Sequence, residues 1–137
     1  MAAGVLRRAP RSAADLAERL VAKGYQVETA AKTVARSTEL GWVNDAQLAL
    51  DRARTLRRRG AGSLRIAADL EARGVATALI DAAVAESRGG ESEAVWARRA
   101  LGHARAADPP RAWRLLLSRG FPEEVVADVV PLPDSGH

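Results

Sequence analysis

The chain has 137 residues, enough for one ordinary domain or for a few small repeats. Aromatics make up only 4% while alanine and leucine dominate, which favours helix over sheet because both residues lose little on entering a helix. With no cysteine, disulfides and thiolate zinc sites are excluded; the formal charge of +4 permits a nucleic-acid or acidic-protein partner without requiring one.

Residues 1–11 carry Val5 and Leu6 and predict a remnant helix, with no apolar run of signal-peptide length. Ser12 followed by Asp15 predicts a helix start, and Leu16, Leu20 and Val21 share the face of a helix that stops at Gly24. A second helix is expected from about Glu28 to Leu40. Asn44 or Asp45 caps a third that reaches Arg59 and stops at Gly60. The order then repeats. Ser63 opens a helix carrying Leu64, Ile66 and Leu70; Ala76 or Thr77 opens one carrying Leu79, Ile80 and Val84; Ser92 starts one that runs to about Ala106. Asp108 followed by Pro109 and Pro110 opens the next, since proline is tolerated in a first turn. A short last helix from Pro122 through Val130 is stopped by Pro131 and Pro133.

One phrase punctuates this order three times: Lys23-Gly24-Tyr25, Arg73-Gly74-Val75 and Arg119-Gly120-Phe121. Leu20, Leu70 and Leu116 stand four residues before the glycines, and Val34, Val84 and Val130 ten residues after them. Such recurrence marks stacked helical units that cannot bury their apolar faces alone. The expected fold is all-α, an elongated tandem array of three-helix repeats. Its expected divisions are the remnant helix at 1–11, repeats at 12–60 and 61–107, a truncated repeat at 108–131 and a frayed tail at 132–137. No window approaches bilayer length, so a soluble protein without membrane contact is expected; the missing thiols fit a reducing cytoplasm, and a monomer is expected as well.

Arginine supplies nearly all the positive charge, Lys23 and Lys32 being the only lysines. Arg52, Arg54, Arg57, Arg58, Arg59 and Arg65 put six arginines into fourteen positions, more than compensation of a helix dipole needs. Arg98, Arg99 and Arg105 sit on the corresponding helix of the next unit, with Arg111 and Arg114 following. If equivalent helices face the same way, these groups form a discontinuous basic strip suited to carboxylate or phosphate. Gly60-Ala61-Gly62 keeps the intervening link short and could bring backbone amides to an anion. Trp42 and Trp96 read as core residues, and Trp113 as the best candidate for an exposed aromatic. With His103 and His137 the only histidines, no histidine triad or metal cluster assembles, and no enzyme, metal or cofactor is expected.

Several phrases together resemble the RecX family of bacterial recombination regulators, over about Val5 to Val130. They are Gly41-Trp42-Val43-Asn44-Asp45, Leu48-Ala49, the basic run into Arg59-Gly60-Ala61-Gly62, then Ile66 and Leu70 before Arg73-Gly74-Val75, and finally Leu116-Leu117-Ser118-Arg119-Gly120-Phe121. The chain departs from the family pattern at Leu48 and Arg52, where aromatics are common. It departs again at Asn44 for aspartate, Ala61 for lysine and Ser63 for proline. The resemblance implies a non-enzymatic protein of tandem three-helix units that binds RecA–DNA filaments. Such a protein modulates, chiefly by inhibition, recombinase, ATPase and coprotease activity in DNA repair and the SOS response. Single- or double-stranded DNA is a further implied partner. Two alternatives stand beside this reading: a helical nucleic-acid-binding module acting directly on DNA, and an interaction scaffold unrelated to recombination.

Overall fold

The computed structural model describes residues 12–40, 43–104 and 108–131, which form eight α-helices; among the described residues there is no strand. They are α1 (Ala13–Ala22), α2 (Val27–Glu39), α3 (Asp45–Arg58), α4 (Ser63–Ala72), α5 (Thr77–Ser87), α6 (Glu93–Ala104), α7 (Pro109–Ser118) and α8 (Glu123–Val129). The expected remnant helix at 1–11, Trp42 and the expected tail at 132–137 lie outside the described residues.

Short polar side chains start the helices that the sequence marked. Ser12 accepts from the Asp15 amide, Asn44 from Gln47 and Asp108 from Arg111, each satisfying a donor that the first turn would otherwise orphan. The recurring glycine phrase is a helix stop used three times. The amides of Tyr25, Val75 and Phe121 donate back to the carbonyls of Leu20, Leu70 and Leu116, while those of Gly24, Gly74 and Gly120 donate to Val21, Glu71 and Leu117. This paired pattern is the Schellman motif, and it puts each glycine at positive φ, between 81° and 105°. The leucine before each glycine and the valine after it are buried, so the recurrence records three equivalent cores.

Those cores divide the helices. Leu16, Leu20, Ala30, Val34 and Val43 form the first, from α1, α2 and the entry to α3. The second gathers Ala49, Ala53 and Leu56 of α3 with Ile66 and Leu70 of α4 and Ile80, Ala83 and Val84 of α5. The third gathers Ala97 and Ala100 of α6 with Ala112 and Leu116 of α7 and Phe121, Val126 and Val130 around α8. In both three-helix groups the first and third helices pack most extensively. The packing thus groups the chain one helix earlier than the sequence boundaries at 60/61 and 107/108. The helix expected to close one repeat opens the next, and the group at 93–130 has its full set of three.

Neighbouring groups meet through turns and helix starts, and the same joint is built twice. At the first, the Ser12 hydroxyl donates to the Arg73 carbonyl at 2.6 Å and the Ala13 amide to Oδ1 of Asp45 at 2.8 Å. At the second, the Gly62 amide donates to the Arg119 carbonyl at 2.8 Å and the Ser63 amide to Oε2 of Glu93 at 2.8 Å. In each, an acid at the start of one group's first helix caps a helix of the group before it. The approach is close. A Cβ on Gly120 would stand 2.5 Å from the Arg65 amide nitrogen, and one on Gly62 2.6 Å from the Gly120 carbonyl carbon.

Candidate partner-binding cleft

The second joint creates a basic cleft. Along α3, Arg52, Leu56 and Arg59 follow at i, i+4 and i+7, so they share one side of the helix and its C-cap. Arg65 and Asp69 stand four apart on α4, and the docked turn after α7 brings in Arg119. With Ala61 these residues line a cleft of about 540 Å³. The Arg119 guanidinium reaches across the joint, Nη1 donating to the Arg59 carbonyl at 3.3 Å.

Charges in the cleft are unequally committed. Asp69 receives Nε and Nη2 of Arg52 at 3.1 and 3.0 Å and Nε of Arg73 at 2.9 Å. These bonds, that of Arg52 foremost, hold its carboxyl below the usual carboxylate range. Arg59, Arg65 and Arg119 have no ion pair among the described residues. Three cations therefore line the cleft without an ion-pair partner, and guanidinium groups are chemically suited to planar anions.

The remaining arginines of the expected strip fall in other places. Arg57 is fully buried, and the expectation that it meets a partner is corrected: its position four residues after Ala53 and eight after Ala49 turns it onto the core face of α3. There it donates to Ser87 Oγ at 3.0 Å, Ser63 Oγ at 2.7 Å and Glu93 Oε2 at 2.8 Å. Burial alone would raise the Glu93 carboxyl. Bonds from Arg57, from the Ser63 hydroxyl and amide, and from Arg88 outweigh it and hold the carboxyl at about 2. Arg54 and Arg58 are exposed on α3 outside the cleft lining. On α6, Arg98 is exposed, while Arg99 pairs with Glu91 at 2.8 Å and lies over the Trp96 ring at 4.8 Å; neither lines the cleft. Arg105 lies outside the described residues. The nine arginines of the strip do not gather in one place, and Arg52, Arg59 and Arg65 are the three that line the cleft.

Other sequence readings change as well. The amides of Gly60, Ala61 and Gly62 donate to the carbonyls of Arg57, Leu56 and Arg119, so none is left for an anion. This link is a structural joint. Trp113 is half-buried against the third core, where the sequence left Leu116 and Leu117 to supply the apolar face. Trp96 is half-buried too, its Nε1 donating to the Arg88 carbonyl at 2.9 Å. Arg119 stands in the sequence as punctuation of the repeat, and the signal of its free charge is the absence of an acid four residues before it, where Leu115 stands. Among the described residues no group of three acids or histidines is placed to hold a metal, and no helix is long and apolar enough to cross a membrane.

Comparison with known proteins adds to this geometry. A family model described as "RecX, second three-helix domain" matches residues 44–84, the segment spanning α3 to α5. The chain is 34% identical over 125 residues to a protein named Regulatory protein RecX from Stenotrophomonas maltophilia (strain K279a), covering 88% of this chain and 77% of that one. A protein of the same name from Xanthomonas axonopodis pv. citri (strain 306) matches at the same identity and coverage. The fold is similar to that in a crystal structure of RecX from Lactobacillus salivarius, with a TM-score of 0.74 at 15% identity, over 94% of this chain and 89% of that one.

Proposed function

Because the chain belongs to the RecX family of regulatory proteins, we propose that it is a non-enzymatic regulator that binds RecA–DNA filaments and restrains their recombinase, ATPase and coprotease activities. The observation that carries this reading is the cleft at the second joint, where Arg59, Arg65 and Arg119 stand without counter-ions beside the paired Arg52. Guanidinium groups so held form short, charge-assisted bonds to carboxylate or phosphate, both of which a nucleoprotein filament offers. A chain of three docked groups also presents contacts to successive subunits of a polymer, so weak contacts add as avidity. A cytoplasmic location is part of the same proposal, since a RecA–DNA filament is found there.

The test is co-sedimentation with a preformed RecA filament on single-stranded DNA, with ATP hydrolysis followed in parallel. Binding at substoichiometric levels and slower hydrolysis are expected. No sedimentation with the filament and an unchanged hydrolysis rate would overturn the reading. A second reading, direct binding to DNA, rests on Arg54 and Arg58, which are exposed on α3 and do not line the cleft. Phosphate contacts there would make binding to naked DNA fall steeply with salt, because counterions are released. Titration of naked DNA across salt concentrations separates the two.

A further inference from the structure

The two joints share their hydrogen bonds but not their charges. At the first, the turn residue Arg73 is neutralised by Asp69 one helical turn earlier, at 2.9 Å. At the second, Arg119 has Leu115 in that place. The third residue of the helix that receives the turn is Asp15 in α1 and Arg65 in α4. Two acids of the first joint are thus exchanged for a leucine and an arginine at the second. The joint itself does not call for this, since the carbonyls of Arg73 and Arg119 are each bonded at the start of the receiving helix, by the Ser12 hydroxyl and the Gly62 amide. Like charges gathered without counter-ions raise the energy of the free protein, and an anionic ligand removes that cost.

We propose that this cleft is a receptor for one acidic polypeptide segment, with a side-chain carboxylate held between Arg59, Arg65 and Arg119 and a neighbouring apolar side chain against Leu56 and Ala61. The lining favours polypeptide over nucleic acid. Asp69 stands in the wall, paired with Arg52 and Arg73, so the lining is of mixed sign and matches a single carboxylate better than a dense run of phosphates. Leu56 and Ala61, both largely buried, add a small apolar edge to the lining, which suits the mixed side chains beside an acid in a protein better than a sugar–phosphate backbone. A volume of about 540 Å³ admits a few side chains and no helix. This assignment deepens the proposed function and rests on it for the identity of the partner.

The probe is a fluorescein-labelled peptide of repeated Gly-Glu-Leu-Asp, read by anisotropy against its Gln/Asn counterpart and against a labelled oligo(dT). The acidic peptide is expected to bind and its amide counterpart not to. Arg65→Glu restores the acid that Asp15 supplies at the first joint, and a carboxylate in the first turn of α4 suits the helix dipole, so this variant folds. It should weaken peptide binding by at least about tenfold, while Arg54→Ala/Arg58→Ala changes it less than about twofold. Absence of peptide binding at millimolar concentration, equal binding by Arg65→Glu, or tighter binding of oligo(dT) through Arg65 would overturn the assignment. Filament sedimentation with the same variants keeps the two readings apart. Filament binding retained without peptide binding overturns the cleft's ligand and leaves the proposed function standing. Peptide binding without filament binding supports the cleft assignment and overturns the function.

Discussion

The amide of Gly62 donates to the carbonyl of Arg119 at 2.8 Å, and this bond seats the end of α7 on the start of α4. Nothing larger than hydrogen fits at Gly62, because a Cβ would stand 2.6 Å from backbone atoms of Gly120 and Phe121. Gly62→Ala should therefore separate the second and third groups and cost about 2 kcal/mol by overpacking. Gly102→Ala is the control: it lies within α6 with no atom within 4 Å of its added methyl, and should stabilise by about 0.5 kcal/mol. Chemical denaturation of both variants checks the contrast.

Arg57 and Glu93 form the buried ion pair that ties α6 to α3, with side-chain exposures of 0% and 10%. Arg57→Met removes the cation and leaves the carboxylate with Arg88 and Ser63. A loss of about 3 kcal/mol is expected, the scale for breaking a buried pair on one side. The denaturation midpoint reads this directly, and binding of the acidic peptide by the folded fraction should not change.

Stability should also depend on acid. The Glu93 carboxyl is lowered from 4.5 to about 2 in the folded chain, so its contribution is fully present above pH 4.5 and is lost as pH falls toward 2. Asp69 is lowered as well and adds to the same trend. Denaturation midpoints across this interval should fall for the natural chain, and fall less steeply for Glu93→Gln. Identical slopes would contradict the geometry around Glu93.

Ser12 is buried and uses its hydroxyl twice, accepting from Asp15 and donating to the Arg73 carbonyl. Ser12→Ala loses a helix cap and leaves a carbonyl without its partner, so about 2 kcal/mol should be lost. Hydrogen exchange is the sharper readout, since protection of the Asp15 amide should drop before that of residues in α5.

Much of the fold was legible in the chain because helix starts and stops are local chemistry. Ser12, Asn44 and Asp108 cap where sequence rules place them, and the leucine–glycine–valine spacing marks equivalent core positions. A period, however, carries no phase. The recurrence fits a unit that begins at α1 or at α3 equally well, and only the shared core of α3 with α5 decides it. The site was legible in part. Arg52, Arg59 and Arg65 could be found from charge density alone. Their separation from Arg57 lay in the alanine stripe of α3, where Ala49, Ala53 and Leu56 already define the inward face. The link from Arg57 to Glu93, and from Arg59 to Arg119, joins residues remote in sequence, and no local pattern announces such a meeting.

Asp45 and Glu93 give the assembly a direction. Each opens its own group yet finishes a helix belonging to the group before it. The first turn of α4 has its Ser63 amide sealed only by a residue thirty positions further along the chain, so a truncation before Glu93 would leave that helix start without its latch.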